Sequence, residues 1–279
     1  MNKTTLITAF VIIGCIVTLI ASYNIYQSRI HSITIPTEIE PNKANLKDQE
    51  DTKNNTAADK EKIQTKSESL SSNEIISRTA NMSDEASAVV TSRLESGENI
   101  QLLMIGSSSI EDGDPGYGEL LTTNLSEAYG ERIEITTITY TGNTAALVTD
   151  MDGKLVDWSK DFDIVLLEGM NLSNNGEVVV EDSIEHIETI NNRMKQNVTD
   201  SVLLVHPSQP LANAVFYPTE VESFKSYLTT RGVTYIDHWP NWPVGNVDEM
   251  NTYLTEESLP NAKGAELWAA ALTTFFTGK

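Results

Sequence analysis

Ser107, Ser108 and Ser109 follow Gly106 directly after the apolar run Ile100-Gln101-Leu102-Leu103-Met104-Ile105. A hydroxyl at the end of a buried strand can act as a nucleophile when a base takes its proton and N–H groups receive the oxyanion. Similar places recur along the chain. Thr141-Gly142-Asn143, Glu168-Gly169-Met170-Asn171, His206-Pro207 and Asp237-His238-Trp239 each follow a strand-like run. Serines, glycines, an amide and two histidines at strand ends are the ingredients of acyl transfer. A histidine titrating near neutrality is the natural base for a serine. His238 is the first candidate and His206 the second. Asp237 can orient His238 only where the chain has left the strand, because adjacent strand residues face opposite ways.

Each of these residues has a structural alternative. Ser108 could cap a helix, Gly142 and Asn171 could serve turns, and His238 could pack beside Trp239 and Trp242. Those two rings and Tyr253 read either as core under the last helix or as a sugar-stacking platform, with core packing preferred. His186, on a helix among carboxylates, reads as surface. Glu111, Asp112, Asp114 and Glu119 lie near the serines, but their spacing matches no calcium loop.

The elements that must position these groups are legible as an alternation. Strand-like runs cover 100–105, 133–140, 162–167, 201–205 and 233–236. Helical periodicity covers 74–94, 117–129, 180–196, 219–231 and 261–276, with Gly232 in the expected place for a helix end. Strands alternating with helices imply a parallel sheet covered on both faces, whose sites open beyond the strands' C-terminal ends.

The strand-to-serine turn resembles that of SGNH/GDSL-type hydrolases, which open with an apolar strand and Gly-Asp-Ser or Gly-Ser-Ser. Gly106-Ser107-Ser108 matches the second form, so the resemblance implies Ser108 as nucleophile. It implies Gly142 as an oxyanion N–H donor, and Gly169-Met170-Asn171 as the Gly-x-Asn block with Asn171 as the amide donor. A later registration would use Asn174. The family's Asp-x-x-His block, with Pro-Asn, Gly and Trp-Ala behind it, matches Pro260-Asn261, Gly264 and Trp268-Ala269. Leu259 stands at the histidine position and Glu256 at the aspartate position, so the base must come from elsewhere. An Asp-His-Trp after the last strand, together with Leu-Pro-Asn, resembles a Gram-positive surface subgroup of the family. The resemblance spans about Asn99 to Phe276. It implies a flavodoxin-like three-layer α/β/α fold with a five-stranded parallel sheet.

The chain of 279 residues has more to place than one such domain. Leu6 to Ala21 is an uncharged apolar run that reaches bilayer length with its flanks, and Lys3 favours an N-inside orientation. The expected organisation is a transmembrane signal anchor over 1–27, a disordered polar stalk over 28–72 and the α/β domain over 73–279. A cleaved signal is disfavoured by the poor site at Leu19-Ile20-Ala21. A lipoprotein signal at Ile12-Ile13-Gly14-Cys15 is disfavoured because the apolar run continues past the cysteine. That places the protein at the cell membrane with its C-terminal domain outside.

A net charge of −21, from 40 acidic and 19 basic residues, argues against nucleic-acid partners and broad binding to anionic lipid. Cys15 is the single cysteine, which excludes an intramolecular disulfide and Cys/His zinc sites. No cofactor or metal is expected. The expected function is an extracellular ester hydrolase acting on an acylated glycan or a lipid ester. The alternatives are a degenerate module that binds glycan or assists an acyltransferase, and an acyl transferase using the same site.

Overall fold

The computed structural model describes residues 70–279 apart from 152 and 154. The expected anchor and nearly all of the expected stalk lie outside the described residues. No described helix is long and apolar enough to cross a membrane.

The strands are β1 Ile100–Gly106, β2 Ile133–Thr139, β3 Ile164–Glu168, β4 Val202–His206 and β5 Thr234–Tyr235. They form one five-stranded sheet in the order β2-β1-β3-β4-β5, and every pair is parallel. This is the flavodoxin-like order expected from the sequence. Its crevice lies where β1 and β3 sit side by side while their connections leave in opposite directions. The helices are α1 Ser72–Thr79, α2 Asp84–Ser96, α3 Tyr117–Tyr129, α4 Thr144–Met151, α5 Asn171–Asn174, α6 Val180–Asn197, α7 Tyr217–Thr230, α8 Val247–Met250 and α9 Ala262–Thr277.

The strands are buried on both faces, so they read as continuous apolar runs rather than alternating ones. Leu102, Met104, Leu166 and Leu204 face one core with α1, α2, α3 and α9. Leu103, Ile105, Val165, Leu167 and Val205 face a second core with α4, α6 and α7. Full burial of each such side chain is worth about 1.5–3 kcal/mol. Two cores on one sheet thus make the three layers.

Some elements differ from the periodicity. The expected helix over 74–94 is two helices, because the Ser83 hydroxyl accepts from Ala86 N–H and starts α2 afresh. Helix α4 went unpredicted. Its first turn is capped by Asn143, whose Oδ1 accepts from Ala146 N–H at 3.0 Å. The Pro-Asn-Gly of the last block has a local explanation. Asn261 caps α9 by accepting from Lys263 and Gly264 N–H, and a Cβ at Gly264 would lie 2.4 Å from Tyr253 O.

Candidate active site

Strand β1 ends at Gly106, and a short 3-10 turn covers Ser108–Ile110. Ser107 caps that turn and points inward, while Ser108 is exposed. The inward serine meets Glu168, the last residue of β3. Ser107 N–H donates to Glu168 Oε2 at 2.8 Å, and the Ser107 hydroxyl lies 2.9 Å and 3.0 Å from the two carboxylate oxygens. Ser208, just beyond β4, donates its hydroxyl to Glu168 Oε1 at 2.6 Å. The Tyr117 hydroxyl faces the same carboxylate closely enough to feel its charge, without meeting the geometry of a hydrogen bond. Only glycine fits at 106, since a Cβ there would stand 2.8 Å from Tyr117 Oη and 3.0 Å from Glu168 Oε2.

Glu168 is fully buried. Burial pushes its carboxyl above the ordinary carboxylate value, and the hydrogen bonds from Ser208 and Ser107 pull it back. Periodicity gives this residue no role. The available signal is a glutamate closing an otherwise apolar strand.

The oxyanion candidates sit at the neighbouring strand ends. Gly142 is half-buried after β2, where a Cβ would meet the Tyr140 ring at 2.9 Å. Asn171 opens α5, and its Oδ1 accepts from Ser208 N–H at 3.2 Å. That bond uses the amide oxygen and leaves the NH₂ as donor. Asn174 also accepts through its amide oxygen. Its Oδ1 accepts from Thr144 N–H at 2.9 Å and lies 3.0 Å from the Thr144 hydroxyl. Asn174 Nδ2 has no partner either, so the two amides differ in burial: Asn171 is half-buried and Asn174 is buried. His186 is not bare surface, because its Nδ1 lies 3.0 Å from the same threonine hydroxyl.

The expected base fails on geometry. His238 is fully buried. Its Nε2 donates to Pro207 O at 2.9 Å, and its Nδ1 accepts from Trp242 Nε1–H at 2.9 Å. Both ring nitrogens are thus in use in a neutral ring. Burial, and then the neighbouring His206, hold its pKa well below the ordinary histidine value. Asp237 does not orient it. Its Oδ2 pairs with Lys225 Nζ at 2.8 Å and its Oδ1 accepts from Trp239 N–H at 3.1 Å. The chain has already left β5 at Tyr235, so it is these two partners, and not strand alternation, that keep Asp237 from His238. His206 is also fully buried, with burial drawing its pKa down to about 4. Among the described residues the Ser108 side chain has no hydrogen-bond partner. Leu259, at the family's histidine position, is half-buried in a turn where Thr255 N–H donates to its carbonyl at 2.8 Å. Gln209 ties that turn to the serines. It accepts from the Ser109 hydroxyl at 3.2 Å and donates to Ser258 O at 3.1 Å.

Aromatic rings form the floor below. Trp268 stacks on Tyr117 at 4.1 Å and on His238 at 4.4 Å, both near-parallel. Trp242 is buried with them, so core packing is the right reading for it. Trp239 leaves the cluster and packs on Tyr217 at 5.5 Å. No metal-holding group of His, Cys, Asp or Glu occurs among the described residues. Among the described residues the arrangement therefore offers a solvent-facing serine beside the candidate oxyanion donors, with no side chain hydrogen-bonded to its hydroxyl.

No family model matches the chain, and no curated protein matches it. Solved structures do. A lipase from a goat rumen metagenome superposes with a TM-score of 0.52 at 12% identity, over 65% of this chain and 99% of the lipase. A protein described as a GDSL-like lipase, from Parabacteroides merdae, gives 0.52 at 11% identity, over 65% and 96%. An acetylxylan esterase from Geobacillus stearothermophilus gives 0.50 at 12% identity, over 64% and 94%. The described domain thus has the SGNH-type hydrolase fold.

Proposed function

We propose that this protein is an ester hydrolase of SGNH type, tethered to the cell membrane with its domain outside, that removes O-acyl groups from envelope or secreted glycans. The observation that carries the reading is the exposed Ser108 at the end of β1, flanked by the strand ends that bear Gly142 and Asn171. The Ser108 hydroxyl adds to the ester carbonyl. The N–H groups of Ser108 and Gly142 and the NH₂ of Asn171 receive the oxyanion. With no side-chain base, the serine proton passes to solvent; the tetrahedral adduct then collapses by expelling the sugar oxygen, which takes a proton from solvent, and water hydrolyses the acyl-enzyme. A positioned base contributes about 10²–10⁴-fold to a proton-transfer step, so turnover without one is expected to be slow. The acetylxylan esterase among the structural neighbours supports a glycan ester, with lipid esters second.

One specific observation favours a second reading. Leu259 and the sealed ring of His238 leave the site without a base, which suits a degenerate module that binds acylated glycan or assists an acyltransferase. Hydrolysis of p-nitrophenyl acetate by the full-length protein separates the two. Wild type is expected to exceed Ser108→Ala, because this reading routes turnover through a Ser108 acyl-enzyme. Its rate should climb with hydroxide, without the inflection near about 6.5 that a histidine base would give. Equal rates for the two proteins would discard the hydrolase and leave the binding module.

A further inference from the structure

Glu168 is a costly residue to keep where it is. A carboxylate taken out of water needs compensation, and replacement by an apolar residue of similar volume is often neutral or stabilising. The other buried carboxylate of the sheet, Asp163 at its opposite end, has a cation: Arg93 Nε lies 2.8 Å from Asp163 Oδ1. Glu168 is different. The groups that favour its charge are the Ser208 hydroxyl, the Ser107 N–H and hydroxyl, and the Tyr117 hydroxyl. Every hydrogen bond it accepts comes from a loop at the crevice.

These bonds run in two directions. One pair holds Ser107, and so fixes the backbone from which Ser108 projects. The other holds the Ser208 hydroxyl at 2.6 Å, while the N–H of that same serine takes Asn171 Oδ1 at 3.2 Å. One carboxylate therefore sets the nucleophile turn and, through Ser208, the orientation of the oxyanion amide. We propose that Glu168 is a positioning residue that locks Ser108 and Asn171 into a common register. A Gly-Asp-Ser turn carries its own carboxylate; this Gly-Ser-Ser turn borrows one from the adjacent strand. The assignment rests on the reading of Ser108 and Asn171 as the reacting and oxyanion-binding groups.

Two measurements on the full-length protein test it, and only one needs activity. Amide hydrogen exchange should accelerate by at least about ten-fold in both 107–110 and 208–209 when Glu168→Ala is made, with β2 unchanged. Glu168→Gln, which keeps one acceptor oxygen and is the variant to use if the alanine variant does not fold, should show a smaller acceleration in both segments. In the hydrolysis assay Glu168→Ala should lower kcat by at least about ten-fold with KM held within about two-fold. The double variant Ser107→Asp/Glu168→Ala, which puts the carboxylate back into the turn, should recover much of the loss. A merely structural glutamate predicts faster exchange across the whole sheet and no recovery. Protection retained in either segment overturns the proposal whatever the activity. Loss of kcat without recovery in the double variant also overturns it. If wild type proves no faster than Ser108→Ala, the hydrolase reading falls, and the exchange result alone decides whether Glu168 couples the two turns.

Discussion

In the hydrolase proposed above, Ser108 and Leu259 define the chemistry at the scale of single residues. A positioned base contributes about 10²–10⁴-fold to a proton-transfer step, and the resemblance read from the sequence puts Leu259 where an SGNH hydrolase would carry its histidine. The Ser109–Gln209–Ser258 chain keeps that loop fastened to the serine turn. Leu259→His is therefore expected to raise p-nitrophenyl acetate hydrolysis at neutral pH by about 10²-fold, with a new inflection in the histidine range. An unchanged rate would mean that the loop holds position 259 out of reach of Ser108. At this scale the sequence marked which strand ends carry hydroxyls and amides, but not what the histidines there are bonded to. A histidine after a strand reads as a base until its partners are known. Here the Pro207 carbonyl and the Trp242 indole, one on a loop 31 residues earlier, take both of its nitrogens. Glu168 was hidden for the same reason, because its meaning lies in three loops brought together only by the fold.

The elements were more legible. Strand runs and helix periods follow from local burial, so β1, β3 and β4 emerge within a residue or two of their limits. What escaped were breaks and short pieces, the Ser83 cap between α1 and α2 and the eight-residue α4, where a single side-chain cap outweighs periodicity. Helix α9 matters most to the site. It carries Trp268 between the Tyr117 and His238 rings, at 0% exposure. Truncating such a ring loses transfer free energy and leaves a cavity. Trp268→Ala should cost about 3–5 kcal/mol of stability, read as a lower urea midpoint. A cost below about 1 kcal/mol would show that α9 is not anchored through this ring.

Over the whole molecule, the buried titratable groups make stability depend on pH in opposing senses. His206 is drawn by burial from its ordinary 6.5 to about 4. The unfolded chain thus takes up a proton before the native one. Its contribution is intact above about 6.5 and is lost as pH falls toward about 4. That loss is on the order of 3 kcal/mol, and His238 acts in the same direction. Glu168 opposes them, because its carboxyl is pushed up by burial. Its contribution is complete below its ordinary value and is lost as pH rises through the raised one. Urea unfolding of His206→Asn between about pH 7 and pH 4 should therefore show a flatter profile than wild type. An identical slope would mean that His206 is not neutral in the native state. The stacked rings of His238, Trp268 and Tyr117 carry a further consequence, this one optical. An indole lying face to face with a neutral imidazole loses emission when that imidazole gains a proton. The packed rings of Tyr117, His238 and Trp268 thus contain their own fluorophore, and ultraviolet light can follow acid entering the fold without any added dye.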